Sequence, residues 1–348
     1  MERDSLFREL QHHRLERETA TISNPDKGQV LLVAGFQYEN PREDNVVYCK
    51  HRMDYLWRKR PNLLCSIFDV ARGLLIQKSG KKGTWTTVKT FSPVTLANNY
   101  TGKLFHKNTA GVISITDVYD FIIEIGKTNP GSLVEFSVFS HGWFEGPILV
   151  NSNDTSSGPL RDPDDKDGRS LKDFSPSNMT PARLSHFQSA FAPDGISWMW
   201  GCNFANIYRQ VLHRITKTSG WRSKTKDTAV FSFSFSQDFA TNFYADDSLF
   251  FPSSTSTLSF SRSVKEIKDF FNRGISDCYC KRLAVASLKP CYGGLLGTYA
   301  EPRKAGRLWV IPTSKPPQSA NFSSYIKFYA LFMGMKTDPE KRNYGIYR

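Results

Sequence analysis

Two stretches decide how this chain reads: Leu133-Val134-Glu135-Phe136-Ser137-Val138-Phe139-Ser140-His141-Gly142-Trp143 and Ile196-Ser197-Trp198-Met199-Trp200-Gly201-Cys202-Asn203. The first is mostly apolar as far as Phe139, with Val134, Phe136 and Val138 on one face. In the second, Ile196, Trp198 and Trp200 share a face while Ser197, Met199 and Gly201 take the other. A period of two marks a strand. Each strand then delivers a reactive side chain, His141 or Cys202, at its carboxyl end. Open α/β sheets build their sites there, and a His and a Cys brought together form a nucleophile–base pair.

A helical pattern precedes each strand. Ser114, with Asp117 three residues on, resembles a capping box. It opens a helix with Ile115, Val118, Tyr119, Ile122 and Ile125 on one face, and Asn129-Pro130-Gly131 ends it. Pro181 to Phe191 reads as a second helix and Pro193-Asp194-Gly195 as a turn. After Cys202, the residues Phe204, Ile207, Tyr208, Val211, Leu212 and Ile215 form a helical stripe, so Cys202 is expected where a strand meets a helix N-terminus.

Further out, Gln29 to Phe36 reads as the first central strand, Asp44 to Lys59 as a helix closed by Arg60-Pro61, and Leu63 to Val70 as a second strand. Leu74 to Ile76 and Thr84 to Phe91 flank a glycine-containing turn and predict a hairpin. Thr228 to Ser236 alternates Phe and Ser and reads as another strand of the main sheet. Residues 262 to 285 read as one helix, Cys291 to Thr298 as a Gly-rich loop without a Walker ending, and Arg307 to Pro312 and Ser324 to Phe332 as closing strands. The expected fold is α/β, a mostly parallel central sheet with helices on both faces, in a single elaborated domain over residues 28–312. Residues 1–27 form an N-terminal arm or helix, and residues 313–348 form a C-terminal extension packing on the domain.

Composition narrows the class. The 348 residues are 39% hydrophobic and include 26 Phe, enough for a large, aromatic-rich core. There is no run of about 18 apolar residues, so no membrane span is expected. The first residues, Met1-Glu2-Arg3-Asp4, lack the apolar stretch of a classical signal peptide; a cytoplasmic protein, or one exported without such a signal, is expected. Six sparse, irregular Cys fit a reducing compartment. Cys278, Cys280 and Cys291 have C-x-C spacing without a nearby fourth ligand and read as thiols rather than a zinc site. The formal charge is +13, with basic clusters at Lys50–Arg60, Lys78–Lys82 and Arg222–Lys226. Such clusters are ordinary solvated faces or contacts to nucleic acid or another anionic partner.

A thiol is mostly protonated at neutral pH and needs a base or a positive field to attack a carbonyl. His141 would act as general base and later return the proton to the leaving amine. Gly142 lets its N–H approach a substrate oxygen; with the N–H of Cys202 it would form an oxyanion hole worth about 3 kcal/mol per donor. The order His before Cys differs from papain-like enzymes, and the glycine spacing of an α/β-hydrolase elbow is absent, with Trp200 and Phe204 in those positions.

A strand ending in Ser-His-Gly, then a second ending in a small residue followed by Cys, resembles the caspase-like cysteine peptidases, the group of caspases, metacaspases, legumains and gingipains. The local match covers about ten residues. It implies that His141 and Cys202 are the catalytic dyad, that Gly142 and Cys202 supply the oxyanion donors, and that the fold spans roughly residues 28 to 312. Trp200-Gly201 stand where caspases have Gln-Ala, and a polar insertion at 151–178 lengthens the His-to-Cys gap. The resemblance also bears on specificity. In these peptidases the strand after the Cys lines the pocket for the residue before the scissile bond, and metacaspases, which prefer Arg or Lys there, carry an acidic residue near that strand's end. Asp238 is the approximate match, with Glu145 adding to the negative field; the alternative is that Asp238 caps a turn.

The expected activity is therefore a cysteine endopeptidase or related amide hydrolase acting on a protein or peptide, without a cofactor. The alternative is a non-catalytic binding module with a basic surface. An effector, a toxin or an immune protease would all carry this pattern. The insertion, rich in Asn, Ser, Asp, Gly and Pro, is expected to cover the groove or to be inert. Its aspartates resemble a calcium loop, but Pro163 and Phe174 occupy the first and twelfth EF-hand positions and exclude that motif. A solvated loop with Arg161 and Arg169 paired to the aspartates is expected, with a looser Ca²⁺ site on Asp162, Asp164, Asp165 and Asp167 as the alternative.

Overall fold

A computed structural model describes residues 28–39, 43–94, 110–236, 247–251, 258–303, 308–312 and 322–348. The expected N-terminal arm, 1–27, and Asp238 lie outside the described residues. Within them the chain is α/β, built on an eight-stranded, mostly parallel sheet.

The first strand, β1 (Gln29–Ala34), lies at the centre of the chain's topology. After it, α1 (Asn45–Lys59) starts at Asp44, whose carboxylate accepts the Val46 N–H, and leads to β2 (Leu64–Asp69), parallel to β1. The expected hairpin follows as β3 (Leu74–Ser79) and β4 (Thr86–Thr90), which extend that side of the sheet antiparallel. The chain then crosses to the other side of β1. The Ser114–Asp117 capping box opens α2 (Ile115–Thr128), whose Ile115, Val118, Tyr119, Ile122 and Ile125 are buried as the spacing requires. Next comes β5 (Leu133–Phe139), parallel to β1 on the side away from β2. Chain order therefore reverses at β1, and open α/β sheets place their sites at the carboxyl ends of such strands.

Beyond β5 a short hairpin, β6 (His141–Trp143) and β7 (Gly146–Ile148), leads into the insertion, which contains one helical turn, α3 (Ser170–Asp173). Then come α4 (Pro181–Ala190) and β8 (Phe191–Met199), parallel to β5. Pro193-Asp194-Gly195, expected as a turn, forms a bulge within β8: Leu133 pairs with Phe191, and Glu135 already with Ile196. The helix after Cys202 is α5 (Asn206–Lys217).

The C-terminal third departs most from the sequence reading. Thr228–Ser236 does give a strand, β9 (Val230–Phe235), but it pairs with β10 (Leu258–Ser263) in a separate two-stranded ribbon and not in the main sheet. Its buried Phe231, Phe233 and Phe235 pack on other aromatics, which satisfies the alternation outside the main sheet. The expected helix over 262–285 is two helices, α6 (Val264–Asp277) and α7 (Tyr279–Ser287), broken at Cys278, which has extended backbone angles. The Gly-rich loop contains β11 (Cys291–Gly293), parallel to β8 in the main sheet. A small ribbon pairs β12 (Glu301–Arg303) with β13 (Leu308–Val310). Ser324–Phe332, expected as a strand, lies in α8 (Phe322–Met333), and the terminal β14 (Gly345–Tyr347) closes the sheet antiparallel to β11.

Helices cover both faces. Cys65 of β2 and Cys49 of α1 are neighbours on one face, while Phe68, three residues on, meets Phe121 of α2 on the other. The sheet is not purely apolar inside. Glu135, at the middle of β5, is 2% exposed and takes a two-pronged bond from Arg52 of α1, each arm 2.8 Å. The same guanidinium reaches Glu340 at 2.8 Å and lies 5.3 Å over both Trp198 and Trp200. Charge-assisted bonds and aromatic faces together replace the water this ion pair has lost.

The insertion is exposed over much of 153–164 but packed over 165–170. Asp167 is buried, and its carboxylate accepts the backbone N–H groups of Leu149, Val150 and Ser152 at 2.7–2.9 Å. Asp165 joins Arg161 at 3.0 Å and Arg169 at 2.8 Å, so the expected pairing is present but lies in the interior. Arg161 also pairs with Asp173, whose other oxygen accepts the Tyr119 hydroxyl, and Tyr119 bonds Tyr279 in turn.

Candidate active site

The register of the central strands brings the two singled-out residues together. Val138 of β5 stands opposite Met199 of β8, so His141 and Cys202, each three residues further, leave the sheet at one level. Both line one cavity of about 20 Å³ with Gly142, Trp143, Gly201, Asn203, Tyr279 and Cys280 among its walls.

Glycine at 142 and 201 is a steric requirement. A Cβ at Gly201 would stand 2.5 Å from the Ser140 carbonyl oxygen and 3.1 Å from the Gly142 nitrogen; one at Gly142 would meet the Cys202 carbonyl oxygen at 2.7 Å. The two strand ends thus touch backbone to backbone, which sets the Gly142 and Cys202 peptides side by side.

His141 belongs to β6 and its side chain is mostly covered, at 17% exposure. Residues following β1 hold the ring: Nε2 bonds the Gln37 side-chain amide, Nδ1 is 3.8 Å from the Glu39 carboxylate, and the Tyr38 ring lies 4.6 Å away. An amide can turn either its oxygen or its NH₂ to the imidazole, so Gln37 serves both tautomers. Burial holds the imidazole below its ordinary value of 6.5, against the opposing pull of Glu39 and Glu43. A base that is neutral at physiological pH results.

Cys202 is the one partly exposed cysteine of the six; Cys49, Cys65, Cys278, Cys280 and Cys291 are buried, and all six are free thiols. Its sulfur accepts the Ala300 N–H at 3.3 Å and approaches the Ala300 carbonyl oxygen at 3.6 Å. The N–H can bond the sulfur in either protonation state, and the carbonyl accepts from the S–H of the thiol. The helix-terminus field expected at Cys202 is further off. The helix cap is Ala205 and its first residue Asn206, while Asn203 and Phe204 run extended, bridging to Thr298 and Trp143. Phe204, expected in the helical stripe, instead stacks on Tyr299 at 4.9 Å.

Other singled-out residues stand elsewhere. Glu145 sits in the β6–β7 turn, outside the cavity wall, 3.5 Å from Arg169. Asp162 is bound by Thr155 and the Asp164 N–H, and Asp165 and Asp167 have the partners given above. Among the described residues no three His, Cys, Asp or Glu side chains converge as a metal would need, and no helix is long and apolar enough to cross a membrane. Sequence reasoning missed Gln37, Glu39 and Ala300. The first two carried a signal, since they follow the carboxyl end of the strand at which sheet order reverses. Ala300 contributes only backbone and carried none.

No family model, no curated protein and no solved structure matches the chain.

Proposed function

We propose that the protein is a cysteine-dependent amide hydrolase, an endopeptidase of caspase-like arrangement, with Cys202 as nucleophile and His141 as general base. The observation that carries this reading is a partly exposed thiol and a low-pKa imidazole on one cavity wall, at the carboxyl ends of adjacent parallel strands. Cys202 Sγ would attack the scissile carbonyl while a ring nitrogen of His141 takes the thiol proton. The N–H groups of Gly142 and Cys202 would receive the developing oxyanion, and His141 would then protonate the leaving amine. The Ala300 peptide would hold the sulfur in place before attack. The Gln37 side-chain amide bonds the imidazole and the Glu39 carboxylate stands 3.8 Å from Nδ1. Gln37 and Glu39 would then act as positioning residues for the ring.

A peptide library incubated with wild-type protein and with Cys202→Ala tests the activity. The expected outcome is cleavage by wild type and none by the variant. Equal cleavage by the two proteins would contradict the assignment. The same library reads the residue before the cut: the specificity proposal for Asp238 requires Arg or Lys there, and cleavage after Asp, Asn or an apolar residue would overturn it.

A further inference from the structure

The proposed hydrolase site leaves unused a basic surface at the opposite rim of the sheet. Two clusters far apart in sequence meet there. The β3–β4 turn folds against the C-terminal end of α1: the Gly80 N–H bonds the Leu63 carbonyl at 3.0 Å and the Lys81 N–H bonds the Pro61 carbonyl at 2.8 Å. This gathers Lys50, Arg58 and Lys59 of α1 with Lys78, Lys81 and Lys82 of the hairpin. All but Lys78 are exposed. None of the six lies within ion-pair distance of a carboxylate among the described residues; Asp54 is the acid interspersed on α1, while Arg60 beside them meets Asp194 at 4.0 Å. Arg58 and Lys59 have a structural use at the last turn of α1, where the helix end carries partial negative charge. Lys81 and Lys82 have none.

Aromatic rings lie within the cluster. Trp85 is half-buried, its ring 6.2 Å from Trp57. The Lys78 ammonium stands 4.9 Å from the Trp57 ring and 6.0 Å from that of Trp85, with the Lys50 ammonium 5.9 Å from Trp85. Tyr55, also half-buried, carries Lys59 at 4.6 Å. Unpaired cations track phosphates and send counterions into solution, and half-buried aromatic rings beside them are what unstacked bases use. A duplex, with its bases stacked inside, makes use of the charge alone.

We infer that this corner, Lys50, Arg58, Lys78, Lys81, Lys82 and Trp85, is a binding surface for single-stranded nucleic acid, separate from the Cys202 site. The experiment is fluorescence anisotropy with labelled single-stranded and duplex oligonucleotides across a salt series, on the full chain. The expected result is single-strand binding whose log affinity falls linearly with log salt. Lys81→Ala/Lys82→Ala should flatten that slope by roughly 1.4, at about 0.7 per phosphate contact. Trp85→Leu should weaken single strands by about fivefold or more with little change for duplex. Lys224→Ala/Lys226→Ala removes the same charge from the third basic cluster and should leave the slope unchanged; circular dichroism confirms that each variant is folded. Absence of salt-sensitive oligonucleotide binding would overturn the inference. So would an equal loss from the Lys224/Lys226 pair, or binding to phosphatidylserine vesicles in place of oligonucleotide. None of these readouts depends on Cys202, so the hydrolase proposal can fail without affecting this one.

Discussion

At the scale of single residues, His141 links stability to pH. Burial lowers its folded-state pKa below the ordinary 6.5. Below about pH 6.5 the unfolded chain therefore binds a proton that the folded chain binds less readily, and stability rises with pH through that window. This contribution is complete above the unfolded pKa and is lost as pH falls through 6.5 toward the folded value. His141→Gln should reduce the acid sensitivity of urea unfolding midpoints between about pH 6.5 and 5. An unchanged pH dependence would mean that the imidazole is as well solvated in the fold as out of it. The pair His141 and Cys202 was legible because each closes an alternating run, a signal independent of distant contacts. Gln37 was marked only by following the carboxyl end of the first strand, and Ala300 was not marked at all, because its role arises from the path of a distant loop.

At the scale of elements, the 151–178 insertion reads from composition as a solvated loop that covers the groove or is inert, and the fold packs its 165–170 stretch into the interior. Its Asp, Ser and Asn content is typical of loops, but the same carboxylates can satisfy buried backbone N–H groups and arginines, as Asp167 and Asp165 do. Composition reports what a segment can bond, not whether the partners lie inside. Lids and gates come from the weakly held end of a structure, and this segment is held by buried ion pairs and by the Arg161–Asp173–Tyr119–Tyr279 chain. Deleting residues 155–175 would strand the N–H groups of Leu149, Val150 and Ser152 and take the Asp173 acceptor from the Tyr119–Tyr279 hydroxyl pair. At about 1–3 kcal/mol for each orphaned group, the loss approaches the whole stability of a domain. The deletion variant should fail to give a cooperative thermal transition; a folded variant with unchanged melting temperature would restore the gating reading.

At the scale of the whole molecule, the α/β order, the strands near Gln29, Leu63 and Leu133 and the second half of β8 from Ile196 were readable because buried parallel strands are apolar runs. The far edge was not. β11 and β14 have three residues each and depend on their neighbours for definition. The Phe–Ser alternation of β9 declared a strand without saying which sheet it joins. These late segments nonetheless bear on the site: the Tyr344 hydroxyl bonds the Trp200 carbonyl at 2.7 Å, and Asn203 donates to Gly294 at 2.8 Å, so the C-terminal chain braces the strand end that carries Cys202. The central claim is that Cys202 is activated, and partial exposure alone would already make it the fastest of six cysteines to alkylate. The decisive measurement is therefore the rate of iodoacetamide modification at Cys202, followed by peptide mass mapping from pH 5 to 9, in wild type and in His141→Ala. The account expects substantial modification of wild type below pH 7, and in the variant a rate at least about tenfold lower there, rising only toward the ordinary thiol pKa near 8.5. Superimposable profiles for the two proteins would show an exposed but unassisted thiol and would contradict the account.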